Sequence, residues 1–152
     1  MTLAAEPLWN EPSYWSEPAE QAFQRARRRG RREQIWCRLR GCRADLDSFD
    51  RVRRKSGVLA ESVTLNRSVP LSAIVGSVDG GEGFTRSFWP ASKDVLPRWK
   101  RAFAVAHGLR GYEPIDLYEV EGKFYVVDGH HRLSVARALG FETIQARVRR
   151  WS

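Results

Sequence analysis

Two β-rich runs, 114–120 and 123–127, are separated only by Glu121-Gly122, and the second passes straight through Asp128-Gly129 into a stretch with helical spacing. A two-residue connector ending in glycine has the length and chemistry of a tight hairpin, so the two runs pair antiparallel. Beyond the turn, Leu133, Val135, Ala136 and Leu139 mark the apolar face of a short helix, with Gly140 as its stop. Residues 143–148 read as a closing strand. Hairpin, helix and strand follow in this order, the elements of an α+β domain.

Upstream of the hairpin, 69–75 reads as a short strand, preceded by an edge strand around 63–65. A glycine-rich loop follows over 76–83, carrying Asp79 and Glu82, with Phe84, Phe88 and Trp89 anchoring its far side. A helix starts at Asp94 or Pro97, runs through Trp99, Phe103 and Ala106, and ends at Gly108. Nearer the N-terminus, Ser16 with Glu17-Pro18 opens a helix whose Ala19, Ala22, Phe23, Ala26, Trp36 and Leu39 recur at helical spacing up to Gly41. Gly30 weakens its middle. Asp47-Ser48 caps a second helix containing Phe49 and Val52, with a basic finish at Arg53-Arg54-Lys55 that complements the helix dipole. Residues 1–57 are accordingly an acidic tail and a basic helical arm, with Trp9, Tyr14 and Trp15 pinning an extended tail, and 58–152 form the α+β domain. Trp36, Trp89, Trp99 and Trp151 are expected to fill cores.

A chain of 152 residues, 42% apolar and 29% charged, suits a single globular core and is too hydrophobic for wholesale disorder. Its apolar runs fall far short of the roughly 20 residues needed to span a bilayer. No basic start or hydrophobic run marks a secretory signal, so the expected location is cytoplasmic and no membrane is involved. Cys37 and Cys42 are read as thiols, since two cysteines make no disulfide framework. A zinc site from Cys37, Cys42, His130 and His131 fits no common ligand spacing.

The net charge of +8 is unevenly placed. Residues 1–20 hold Glu6, Glu11, Glu17 and Glu20 and no base, whereas 21–56 hold thirteen bases against four acids. The run Arg25, Arg27, Arg28, Arg29, Arg31, Arg32 covers two turns of helix, so its charge wraps around the axis. Such a helix suits the sugar-phosphate backbone of DNA or RNA, with little sequence specificity. A solvated face, or docking on the acidic tail, is the other use of such a run.

The chemistry concentrates at Asp128-Gly129-His130-His131-Arg132. The first N–H groups of a helix lack internal partners and carry partial positive charge, so a phosphate docked there gains hydrogen bonds and dipole stabilisation together. Gly129 lets the ligand approach the backbone. His130 and His131 can donate to phosphate oxygens, and Arg132 can clamp them bidentately. Asp128 either caps the helix or turns outward to hold a metal or take a hydroxyl proton. An ordinary β-to-α turn, with Arg132 paired to a neighbouring carboxylate, has the same residues.

The segment Gly129-His130-His131-Arg132-Leu133, followed by Ala136 and Leu139-Gly140, resembles the Gly-Glu-Arg-Arg box of ParB N-terminal domains in the ParB/sulfiredoxin superfamily. It is also similar to the Asp-Gly-His-X-Arg segment of free serine kinases, and 69–74 is similar to the strand that opens these domains. The resemblance covers about 63–150 and implies the ParB/sulfiredoxin fold, with CTP or ATP and Mg2+ at this turn. Members often carry acids and an arginine after the first core strand, a place taken here by Asp79, Glu82 and Arg86. Sulfiredoxins have their reactive cysteine where this chain has His130, and neither Cys37 nor Cys42 matches that position, so sulfinic acid reduction is not expected. His130 and His131 replace the glutamate and first arginine of the ParB box, so a preference for CTP does not carry over. With Ser152 ending the chain and no helix-turn-helix after the box, a complete partition protein is not expected.

The resulting expectation is a ParB-like nucleotide-binding protein with slow nucleoside triphosphatase activity. Asp128, His130 and Glu82 are its catalytic candidates, Gly129, His130, His131 and Arg132 its phosphate ligands, and Asp128 its metal ligand. Arg25, Arg27, Arg28, Arg29, Arg31 and Arg32 are its nucleic-acid contacts. The rivals are a small-molecule kinase, in which Glu82 or Asp128 takes a hydroxyl proton, and a non-catalytic DNA-binding module or ParB-like nuclease.

Overall fold

The structure, a computed structural model, describes residues 8–42, 47–56, 61–108 and 111–152. Gly57, where the sequence divides arm from domain, lies outside the described residues. The elements are α1 (Ser16–Arg40), β1 (Asp47–Ser48), α2 (Phe49–Ser56), β2 (Glu61–Pro70), β3 (Ile74–Ser77), α3 (Leu96–His107), β4 (Ile115–Val120), β5 (Lys123–Asp128), α4 (His130–Ala138) and β6 (Thr143–Trp151). The six strands form one mixed sheet in the order β1-β3-β5-β4-β6-β2. β4 and β5 make the expected antiparallel hairpin. Both of its turn residues have positive φ, Glu121 at 51° and Gly122 at 78°, the geometry that matches strand twist. β6 lies inside the sheet, parallel to β4 and antiparallel to β2.

Two apolar clusters cover the sheet. The larger joins Ile115, Leu117, Val126, Ala146 and Val148 to Phe23 of α1, Trp99 and Phe103 of α3, and Leu133 and Val135 of α4. Trp99 is fully buried and its indole N–H donates to Ser134 Oγ at 2.9 Å, so the largest core side chain leaves no donor unsatisfied and ties α3 to α4. In the smaller cluster Phe49 of α2 meets Val120 and Tyr125, with Tyr118 and Trp151 packed around it. α1 is integral to the main core: Ala19, Ala22, Phe23 and Ala26 are buried, and Phe23 meets Trp99 edge-to-face at 5.4 Å.

The structure corrects several expectations. The strand read over 69–75 is two strands, β2 and β3, split by a 3-10 turn at Leu71–Ala73. Pro70 has no N–H to give the ladder, and the Leu71 N–H bonds instead to the Glu142 carbonyl at 2.9 Å. The aromatic tail is not extended, since Leu8–Asn10 and Pro12–Trp15 form 3-10 turns and Trp15 stacks on His107. Trp36 fills no core and is 57% exposed. Cys37 and Cys42 are not free thiols but form a disulfide. Gly41, left-handed at φ 70°, folds the chain back, the N–H groups of Gly41 and Cys42 both reach the Cys37 carbonyl, and the two Cα atoms come within 4.6 Å. Their sulfurs are thereby taken from the zinc arrangement weighed with His130 and His131.

Gly30 has a packing reason that the sequence does not show. A Cβ built there would lie 2.9 Å from the Pro90 carbonyl oxygen and 3.0 Å from Trp89 Cβ, so α1 crosses the 85–90 loop at backbone contact. Mid-helix Gly→Ala ordinarily stabilises by roughly 0.5–1 kcal/mol. We expect Gly30→Ala to reverse that sign and cost about 1–3 kcal/mol, the range for overpacking, in urea denaturation monitored by far-UV circular dichroism. A stabilised variant would show that the crossing is loose.

Candidate functional site

The site forms at the carboxyl ends of two parallel neighbours, β3 and β5, whose register sets Ser77 opposite Val126. In open sheets with helices on them, this is where ligand crevices lie. β5 ends at Asp128, Gly129 takes φ 115°, and α4 starts at His130. The turn needs glycine for two reasons. L-residues rarely adopt that φ, and a Cβ would stand 2.4 Å from Ile115 Cγ2. Gly129 is therefore pressed against β4 beneath the turn, a packing role beside the ligand approach read from sequence.

The residues that open α4 line a groove of about 480 Å3. Asp128, Gly129, His130, His131 and Arg132 line it from the turn, Asp79, Gly81, Glu82 and Phe84 from the loop after β3, and Arg98 from α3. All five motif residues and Glu82 thus come together. Arg86 does not join them and lines a separate cavity with Leu71, Phe88 and Arg137.

The hydrogen bonds assign the donors. Ser77, fully buried, places its Oγ 2.6 Å from Asp79 Oδ1 and 2.6 Å from His130 Nε2. A hydroxyl carries one proton and a carboxylate can only accept, so Ser77 donates to Asp79 and accepts from the His130 Nε2–H. Neutral His130 then keeps its lone pair on Nδ1, which becomes a phosphate donor only on protonation. This corrects the expectation of a ready donor. The trio is not a nucleophilic triad, because Ser77 is sealed from solvent and both Ser77 and Asp79 face the same ring nitrogen, with Asp79 Oδ1 3.4 Å from Nε2.

Asp128 is not a helix cap. Gly129 occupies the cap position without a side-chain bond, and Asp128, 73% exposed, pairs through Oδ2 with Arg132 Nη2 at 3.0 Å. Arg132 also donates through Nη1 to the carbonyls of Glu113 at 3.0 Å and Pro114 at 3.3 Å. Its fork is therefore already partly engaged, so the full bidentate clamp read from sequence is not free.

Electrostatics follow from this packing. Burial works against ionisation of Asp79, but hydrogen bonds from Ser77 and the Gly81 amide, with His130 beside it, outweigh that and hold its carboxyl below the usual range. Burial depresses His130, and the charges of Asp79 and Asp128 pull upward without overcoming it. Burial, with Arg98, His130 and Arg101, brings His131 down to about 4. Phe84 supplies part of the cover, stacked against His130 and edge-on to His131 at 5.2 Å.

No protein-family model matches the chain, and no curated protein does. Among solved structures it is similar to sulfiredoxin from Arabidopsis thaliana, a protein of the ParB/sulfiredoxin fold superfamily. The two are 22% identical, with a TM-score of 0.43, and the match covers 57% of this chain and 85% of that one.

The arginines of α1 lie on a different surface and divide among themselves. Arg25, Arg28, Arg29 and Arg32 line a groove of about 270 Å3 with Trp89, Ala138 and Leu139. Arg27 turns inward, with Nε and Nη1 buried and without hydrogen-bond partners among the described residues. The charge is thus sorted by face and does not simply wrap around the helix. Sequence reasoning missed Arg98 and Ser77 as site residues. Neither has a local signal, because Arg98 reaches the groove only through the packing of α3 and Ser77, buried, meets His130 only through the β3–β5 register.

Proton NMR titration checks the histidines. His131 should titrate at about 4 and His130 below the ordinary 6.5, and Asp79→Asn should lower His130 further by removing a charge that favours imidazolium. Both groups bind protons more readily unfolded, so stability should fall as pH drops from 6.5 to about 4. A higher value for His130 in Asp79→Asn would contradict the assigned network.

Proposed function

We propose that this protein binds a phosphate-bearing nucleotide, a nucleoside triphosphate with magnesium, at the N-terminus of α4, and associates with nucleic acid through α1. The observation that supports it best is the polar groove lined by the first residues of α4 together with Arg98 and Arg132. Helix amides and guanidinium groups together suit phosphate oxygens, which accept several hydrogen bonds and carry charge.

Magnesium fits as a companion of the phosphates. Among the described residues no group of three His, Cys, Asp or Glu could hold a metal ion. Asp79, Glu82 and Asp128 nevertheless all line the groove and would repel a bare triphosphate. Magnesium usually binds through one or two carboxylates, substrate phosphates and waters. Asp128 has Oδ1 to offer, since Oδ2 is held by Arg132, and Glu82 is a second exposed carboxylate, while Asp79, also exposed, has its Oδ1 held by Ser77 and the Gly81 amide. When bound, the ion would neutralise phosphate charge.

His130, Glu82 and Asp128 line the groove and are its candidate proton acceptors. Each can orient a water for slow hydrolysis. Glu82 makes no ion pair among the described residues. That favours a second reading, in which it takes the proton of a small hydroxyl substrate and the product is a phosphate ester.

Thermal-shift measurement with ATP, CTP, GTP and UTP, with and without magnesium, tests the proposal. A ligand at a hundredfold its Kd adds about 2.7 kcal/mol, roughly 5–10 °C in Tm for a domain of this size. Arg98→Ala should abolish that rise while leaving the unliganded Tm unchanged, because the side chain is exposed. Binding should tighten as pH falls toward 6, since protonated His130 gains an Nδ1 donor. No shift with any nucleotide or with orthophosphate would end the proposal, and a labelled phosphate ester formed from an added hydroxyl compound would establish the second reading.

A further inference from the structure

This inference rests on the nucleic-acid half of the reading above and narrows it to one surface. Arg25, Arg28, Arg29 and Arg32 stand at i, i+3, i+4 and i+7, one face of α1, and all four line the groove beside Trp89. Arg29 lies 5.1 Å from the centre of the Trp89 ring, and Arg137 of α4 lies 5.8 Å from that same centre. A guanidinium held against an aromatic ring still presents its N–H fork at the edge. Trp89 therefore holds two cations, Arg29 of this groove and Arg137 of the cavity that Arg86 lines, while Ala138 brings α4 to the groove itself.

Among the described residues no acidic side chain pairs with any of these five arginines. Like charges at helical neighbour spacing repel, so a polyanion laid across them relieves the repulsion as it binds. From Arg25 to Arg32 the helix rises about 10 Å, the span of about three phosphates at ~3.4 Å per nucleotide of one strand. Apart from the arginines and Trp89, the groove is lined by Ala22, Ala26, Phe103, Ala138 and Leu139, whose side chains offer no donor or acceptor to a base edge.

We propose that the groove of Arg25, Arg28, Arg29 and Arg32, extended by Arg137 across Trp89, grips the phosphodiester backbone of a nucleic-acid strand without reading its sequence. Arg31 is exposed but lies outside this groove, and Arg27 is turned inward.

The test is fluorescence anisotropy of the full chain with labelled single-stranded RNA, single-stranded DNA and duplex DNA of arbitrary sequence, at about 50 to 200 mM salt. A groove variant carries Arg25→Gln, Arg28→Gln, Arg29→Gln and Arg32→Gln. A control variant loses the same charge elsewhere through Arg31→Gln, Arg38→Gln, Arg51→Gln and Arg54→Gln, all exposed positions. Circular dichroism melts confirm that both remain folded. The groove variant should bind roughly tenfold or more weakly, with a log-log salt slope smaller by about 3, while the control keeps the wild-type affinity. Equal losses in both variants would overturn the groove and leave general nucleic-acid binding standing. A wild-type chain that binds none of the probes at the lowest salt would overturn that binding itself.

Discussion

The contact between Gly129 and Ile115 fixes where everything else at the site can be. With a Cβ only 2.4 Å from Ile115 Cγ2, no other residue fits the turn without moving β4 or α4. The chain leaves β5 at φ 115° and starts α4 directly above the sheet. That tight exit brings the first turn of α4 beside the end of β3, where Ser77 meets His130. Trp99 secures the arrangement from below through its bond to Ser134, so the N-terminus of α4 is braced by both the sheet and α3.

Around this turn, structural and chemical demands compete for the same side chains. Arg132 spends part of its fork on the carbonyls of Glu113 and Pro114 and on Asp128, which stiffens the chain entering β4. His130 is oriented by Ser77 rather than by solvent, and its Nδ1 is left as an acceptor at neutral pH. His131 is kept neutral by burial and by the cations of α3. What positive charge lines the groove lies in Arg98 and a partly engaged Arg132, not in its histidines, and the carboxylates of Asp79, Glu82 and Asp128 oppose it. A phosphate arriving there would shift that balance by stabilising imidazolium.

The helical periods, the Glu121-Gly122 hairpin and the β5-turn-α4 passage were legible in the chain because each depends on neighbours a few residues apart. Ser16–Arg40, the β4–β5 pair and His130–Ala138 emerge much where spacing and turn chemistry put them. The break between β2 and β3 was less visible, since it depends on a bond from Leu71 to the carbonyl of Glu142. The Cys37–Cys42 bond was misread by counting cysteines, whereas the left-handed Gly41 between them carries the geometry that joins them.

At the site itself, the donors of the turn are written locally in the chain: a glycine, two histidines and an arginine opening a helix, a pattern that needs no partner to be recognised. Which of those donors stay free depends on segments far apart in the chain. Ser77, Asp79 and Arg98 come from two other elements, and the fork of Arg132 is shared with carbonyls nearly twenty residues earlier. Likewise the arginine run was plain in the chain, but its division into a groove-lining face and an inward-turned Arg27 was set when α1 packed on α3. Local composition specifies which groups a chain possesses. Burial and hydrogen bonding, which act between distant segments, specify which of them remain available to a ligand.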